Sequence, residues 1–156
     1  MVVQLTMVLN ETLRLYSPAI MMFRRAEKEM RLGGDDEMGD VVILAGTELL
    51  IPVLMWHHEA EYWGLDVDEF RPERFEGGVA KASRVAGAFL PFSTGPRVCI
   101  GQGFAMLEAK TVMATILRRF RFHVSPSYRH APIIMVTMQP QFGLQLSFSP
   151  LVDPAP

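Results

Sequence analysis

Cysteine occurs once in 156 residues. That excludes an internal disulfide framework and any cysteine-rich zinc or iron–sulfur site, and leaves Cys99 as a buried thiol, a nucleophile or a single metal thiolate. An excess of either charge is also lacking. With 15 Lys and Arg against 17 Asp and Glu, the formal net charge is −2, too even for a nucleic-acid grip or a polybasic membrane patch. The longest uncharged stretch, Ala131 to Val152, is broken by Pro132, Pro140, Gly143, Pro150 and three glutamines, all costly in a bilayer, so no transmembrane span is read. Met1 to Leu9 has neither the basic start nor the small-residue cleavage site of a secretory signal, so no targeting segment is expected. What is abundant is apolar material: 49% hydrophobic residues and 21% charged ones, enough to bury a core in one domain or a piece of one. Eleven methionines and ten phenylalanines imply a deformable interior, or apolar surface that meets something else.

Leu5, Val8, Leu9, Thr12 and Tyr16 recur at helical spacing and Pro18 ends the pattern, which predicts one amphipathic helix over Val2 to Leu15 that starts abruptly at Met1, as a truncated helix would. Met21 to Ala26 reads as a strand. After a turn at Gly33-Gly34-Asp35-Asp36, the runs Val41 to Leu44 and Thr47 to Val53 complete a small antiparallel sheet. From Trp56 to Pro96 the chain is rich in Pro, Gly and aromatics with no sustained period, the signature of a long ordered meander. Ala105, Ala109, Val112, Met113, Ile116, Leu117 and Phe120 then form an apolar stripe, predicting a helix over Gln102 to Arg119. Its closing Arg118, Arg119 and Arg121 suit a helix C-terminus rather than a docking patch. Ile133 to Met138 and Gly143 to Phe148, around Gln139-Pro140-Gln141, read as a terminal hairpin. The fold class is therefore mainly α with small β-hairpins.

Immediately before the second helix stands Phe92-Ser93-Thr94-Gly95-Pro96-Arg97-Val98-Cys99-Ile100-Gly101. Gly95 and Pro96 favour a tight turn, and Gly101 permits a positive φ or close backbone approach beside the sulfur. A cysteine just ahead of a helix start has free amides and the positive dipole end near it, which favour the thiolate. Arg97 adds a fixed positive charge able to pair with a carboxylate. A thiolate beside an anion-binding arginine suits an iron porphyrin, which offers both a metal and propionates. By residue type alone, a lone Cys between Val98 and Ile100 is inert core. A nucleophilic cysteine paired with His57 or His58 is the remaining alternative, without an orienting partner at recognisable spacing.

The pattern F-x-x-G-x-R-x-C-x-G over Phe92 to Gly101 resembles the haem-binding signature of the cytochrome P-450 superfamily. Glu11-Thr12-Leu13-Arg14 resembles the E-x-x-R of that family's K helix, Pro72-Glu73-Arg74-Phe75 its meander segment, and Trp63-Gly64 with Phe70-Arg71-Pro72 the lead-in. Each is a weak motif alone; four in order across nearly the whole chain are specific. Asn10 to Tyr16, Trp56-His57-His58 and Gln139-Pro140-Gln141-Phe142-Gly143 are similar to plant microsomal members near the brassinosteroid- and triterpenoid-oxidising groups. Ser17 and Ala45 depart from the family's usual prolines, which bears on backbone rigidity and substrate fit rather than on the iron.

The resemblance implies that residues 1–156 are the C-terminal portion of one haem-thiolate domain (K helix, meander, cysteine loop, L helix and terminal hairpin), with the upstream two-thirds of that domain absent. It makes Cys99 the proximal iron ligand, Arg97 a propionate partner, Phe92 a shield over the sulfur and Arg25 a second propionate contact, with Arg24 its rival; Gly101 completes the set. Glu11 and Arg14 share one helical face, and Arg74 can join them in a buried charge cluster tying helix to meander. The implied activity of the full-length parent is hydroxylation of a lipophilic small molecule, using dioxygen and electrons from an NADPH-cytochrome reductase at the endoplasmic reticulum membrane. The chain alone is expected to be inactive; the alternative is a non-catalytic remnant or interaction module that retains the haem loop.

Overall fold

The structure, a computed structural model, describes residues 2–33 and 41–151. The first helix, α1 (Val2–Leu15), has the predicted bounds but a different buried face. Leu5, Asn10, Glu11, Arg14 and Leu15 are enclosed, whereas Thr12 and Tyr16 of the apolar-spacing stripe are exposed. Glu11 and Arg14 neutralise one another, so the face that hydropathy marks as wet can be buried.

Four short strands follow: β1 (Met22–Arg25), β2 (Met30–Leu32), β3 (Val41–Ile43) and β4 (Glu48–Ile51). They form two antiparallel ladders, β1 with β4 and β2 with β3. β2 went unread in the sequence, and from Gly34 onward the predicted turn at Gly33 to Asp36 lies outside the described residues. The predicted strand over Thr47 to Val53 is shorter, because Pro52 lacks the amide a strand would use and instead caps a helix. That helix, α2 (Val53–His57), and the single turn α3 (Ala60–Trp63) open the meander. Three 3-10 turns, Pro72–Phe75, Val79–Lys81 and Gly95–Arg97, complete it.

The second long helix, α4 (Gln102–Arg119), matches expectation in extent but not in depth. None of its residues is buried: Ala105, Ala109, Met113, Ile116 and Leu117 are half-covered, while Val112 and the following Phe120 are exposed. The tail is a correction. Ile133–Met138 and Gly143–Phe148 do not pair with each other. Strand β6 (Pro132–Ile134) pairs with β7 (Met138–Pro140), and β8 (Leu146–Pro150) returns to β5 (Phe120–Val124). The apolar residues Met135 and Val136 form the turn, with the Met135 amide donating to the Thr137 carbonyl at 3.3 Å, so hydrophobicity concealed the reversal.

The core lies where α1 packs on the meander. Trp63, Val67, Phe75 and Ala88 are its buried members, with Met7, Ala60, Tyr62, Ala82 and Phe89 against them. Phe75 and Phe89 have ring centroids 5.0 Å apart, and Trp63 lies 6.2 Å from each, so three rings meet at productive separations. Gly64 closes α3 at φ +97°, a conformation open mainly to glycine. A Cβ there would also stand 2.9 Å from Asp66 Oδ1, an atom needed below.

Candidate functional site

α1 presents Glu11 and Arg14 one turn apart, and both are wholly buried. Arg14 Nε and Nη2 donate to the two Glu11 oxygens at 2.8 and 2.9 Å, a bidentate fork. Nη1 donates to the His57 carbonyl at 2.8 Å and Nη2 also reaches the Glu69 carbonyl at 3.2 Å, while the guanidinium carbon sits 5.2 Å over the Trp63 ring. Glu11 Oε1 accepts from the Arg71 backbone amide at 2.9 Å and from Arg74 Nε at 3.4 Å. Arg74 extends to the Trp63 carbonyl at 2.9 Å and the Asp66 carboxylate at 2.9 and 3.1 Å. Glu11, Arg14 and Arg74 are thus brought together. Asp66 and the carbonyls of His57, Trp63 and Glu69 complete the cluster; these were not legible in a sequence without structure. The Arg74 guanidinium beside Asp66 holds its carboxyl below the usual carboxylate range, and Arg71 adds to this.

His57, the fully buried last residue of α2, turns its ring the other way. Nε2 accepts the Leu90 backbone amide at 2.9 Å, and the ring stacks on Phe89 at 5.6 Å. Because Nε2 is an acceptor, the neutral ring carries its proton on Nδ1, an enclosed atom with no hydrogen-bond partner. Burial pushes its pKa from 6.5 down to about 4. The unfolded chain therefore takes up a proton well before the folded one. Stability from the neutral ring is complete above about pH 6.5 and declines as the pH falls toward 4, by about 3 kcal/mol in all. Urea midpoints between about pH 7 and pH 4.5 should fall accordingly, and His57→Gln should flatten that slope.

The cysteine loop is held at its base and along one side. The Cys99 amide donates to the Phe92 carbonyl at 2.8 Å, and Val98 to Gly95 at 3.1 Å around the Gly95–Arg97 turn, where Gly95 has φ +67°. Ser93 is the sole non-glycine with positive φ among the described residues, at +65°, and its hydroxyl accepts from Arg24 Nη2 at 2.6 Å. Cys99 itself is exposed and is no part of the core formed by the described residues. Gly101 adopts φ −86°, so no left-handed turn is needed; an added Cβ would lie at ordinary contact distance, 3.8 Å, from Cys99 Sγ. Beside the loop, Arg24, Arg25 and Arg97 line one hollow of about 870 Å³, with Phe23, Ala45, Gly46 and a single acidic residue, Glu27. Arg25 is exposed, whereas Arg24 already has its partner in Ser93. Phe92 is half-buried at the loop base.

An exposed cysteine on a loop whose Arg97 lines an arginine-rich hollow is joined by a match across the sequence: the family profile described as Cytochrome P450 covers residues 2–147. The chain belongs to the cytochrome P450 family. It is 51% identical over 142 residues to the 7-deoxyloganic acid hydroxylase of Catharanthus roseus, covering 91% of this chain and 26% of that protein. It is 49% identical over 142 residues to cytochrome P450 72A15 of Arabidopsis thaliana, 91% of this chain and 27% of the relative. Against cytochrome P450 734A4 of Oryza sativa subsp. japonica it is 48% identical over 148 residues, 94% of this chain and 28% of the relative. The chain therefore spans about a quarter of the length of the curated relatives it matches. These are plant proteins, in agreement with the plant-type resemblance of the sequence.

P450 proteins carry haem on a cysteine thiolate. The donor set here fits such a group: one accessible thiol on a constrained loop, with guanidinium groups on the adjoining wall able to take carboxylates. The alternative of a nucleophilic cysteine paired with His57 or His58 loses its base, because His57 Nε2 is committed to Leu90 and the His58 ring lies between Asp68 at 3.1 Å and the Leu15 carbonyl at 3.2 Å. No group of three or more metal-holding His, Cys, Asp and Glu side chains occurs among the described residues. Among those residues, no helix is long and apolar enough to cross a membrane.

Proposed function

We propose that the chain is the C-terminal, haem-binding portion of a P450 monooxygenase, in which Cys99 would hold the iron as a thiolate and Arg97 and Arg25 would pair with the propionates. The observation that carries this reading is a solvent-open Cys99 on the same short loop as Arg97, which lines one hollow together with Arg24, Arg25 and Glu27. When bound, the haem supplies dioxygen activation: one oxygen atom enters a C–H bond of the substrate and the other leaves as water, consuming two electrons and two protons. This chain's residues do the holding. The loop base bond between Cys99 and Phe92 fixes the backbone from which the sulfur projects, Phe92 shields the sulfur side, and Gly101 keeps the space beside Sγ free of a side chain. Of the arginines, Arg24 steadies the loop through Ser93, leaving Arg25 and Arg97 for carboxylates. The Glu11, Arg14 and Arg74 cluster anchors the meander from which the loop emerges.

The parent protein would draw electrons from an NADPH-dependent reductase, reside at the endoplasmic reticulum membrane and hydroxylate a lipophilic small molecule. That class is supported by the apolar Phe23, Met135 and Val136, which stand exposed on β1 and the β6–β7 turn. The relative in Catharanthus roseus is a hydroxylase by name. The chain by itself is expected not to hydroxylate. Reconstitution with hemin, reduction and addition of carbon monoxide tests the central assignment: a red-shifted, thiolate-type Soret band is expected, and a histidine-type spectrum would overturn it.

A further inference from the structure

We propose that His57 is a positioning residue for the cysteine loop, its ring fixing the backbone at Leu90 and thereby the segment that presents Cys99. This rests on the haem-thiolate reading for its consequence, though not for its geometry. His57 is used at both ends. Its carbonyl accepts Arg14 at 2.8 Å, inside the buried charge cluster, and its ring accepts the Leu90 amide at 2.9 Å. Leu90, itself buried, accepts the Ser93 amide at 3.2 Å through its carbonyl, closing a turn. From that turn the Phe92 carbonyl reaches the Cys99 amide at 2.8 Å, and the Ser93 hydroxyl reaches Arg24 at 2.6 Å. Hydrogen bonds of 2.8 to 3.2 Å, joined through His57, Leu90 and the Phe92–Ser93 peptide, therefore link α1 to the cysteine by way of one histidine.

The unpartnered Nδ1 supports a positioning role over a packing one. A ring placed only to fill the core would be better as phenylalanine, which buries no orphan N–H. Histidine is the choice that places an acceptor in front of the Leu90 amide while still stacking on Phe89 and meeting Trp63 edge-on at 6.2 Å. Substitution by phenylalanine removes one buried orphan and creates another at Leu90, so global stability and loop order should separate.

Amide hydrogen exchange on the whole chain without haem, for wild type, His57→Phe and His57→Gln, makes the test, alongside the carbon monoxide spectrum after hemin addition. In His57→Phe, the Leu90 and Cys99 amides should exchange roughly tenfold faster, while those of Trp63 and Val67, bonded to Glu59 and Gly64, hold their protection. A larger non-thiolate fraction should accompany this. His57→Gln, whose amide oxygen can accept from Leu90, should restore both. Unchanged Cys99 protection in His57→Phe would overturn the proposal, as would uniform acceleration at every amide in both variants, which marks an ordinary core residue. If wild type forms no thiolate-type band, the haem reading fails, and the exchange pattern still decides the positioning role by itself.

Discussion

Replacing Arg14 with leucine is expected to reduce the unfolding free energy by about 3–5 kcal/mol, the usual effect of stranding one member of a buried ion pair. The guanidinium is fully enclosed and satisfies both Glu11 oxygens and the His57 carbonyl within 2.9 Å. Without it the Glu11 carboxylate keeps only the Arg71 amide and a long contact to Arg74 at 3.4 Å, and two carbonyls lose their donor. Small domains hold about 5–15 kcal/mol, so a substantial part of the margin is at stake. Urea unfolding monitored by tryptophan fluorescence measures this, since Trp63 lies under the guanidinium. The paired Glu11→Leu and Arg14→Leu chain should be less destabilised than the two single losses summed, because no lone charge remains. A loss below about 1 kcal/mol for Arg14→Leu would mean that the cluster is not what joins α1 to the meander.

Cys99→Ala is expected to eliminate the thiolate-type band entirely while leaving the fold unmoved. The side chain is exposed, so its removal falls among surface substitutions, within about 0.5 kcal/mol. The spectral outcome is all or nothing, because no second cysteine exists to take over. Cys99→His should instead give a nitrogen-ligated spectrum if the loop presents its side chain to the iron. Persistence of the wild-type band in Cys99→Ala would falsify the assignment of the sulfur. Urea midpoints measured on the same three proteins separate ligand loss from unfolding.

The two long helices could be read directly because an apolar stripe from Ala105 to Phe120 and a proline stop are local signals. The short strands were readable only in part: β2 has three residues, and the β6–β7 reversal is built of Met135 and Val136, apolar residues at a place where polar ones mark a turn. The cysteine loop was legible because each of its requirements, turn, charge and sulfur, falls within ten consecutive residues. Asp66 and His57 were not, because their roles depend on partners far along the chain: Arg74 for one, Arg14 and Leu90 for the other. His57 also shares its sequence context with His58, whose half-exposed ring does something quite different.

The shallow seat of α4 bears on the order in which the molecule comes apart. A helix with no enclosed residue, and with Phe104 and Leu107 facing water, retains little to resist opening locally. Under rising denaturant it should fray and detach first, while the bend preceding it keeps its shape through ties on the opposite flank. Rigidity around the sulfur is thus inherited mainly from the irregular middle of the chain, with the helix that follows adding only the Gln102 amide on the Cys99 carbonyl at 3.3 Å.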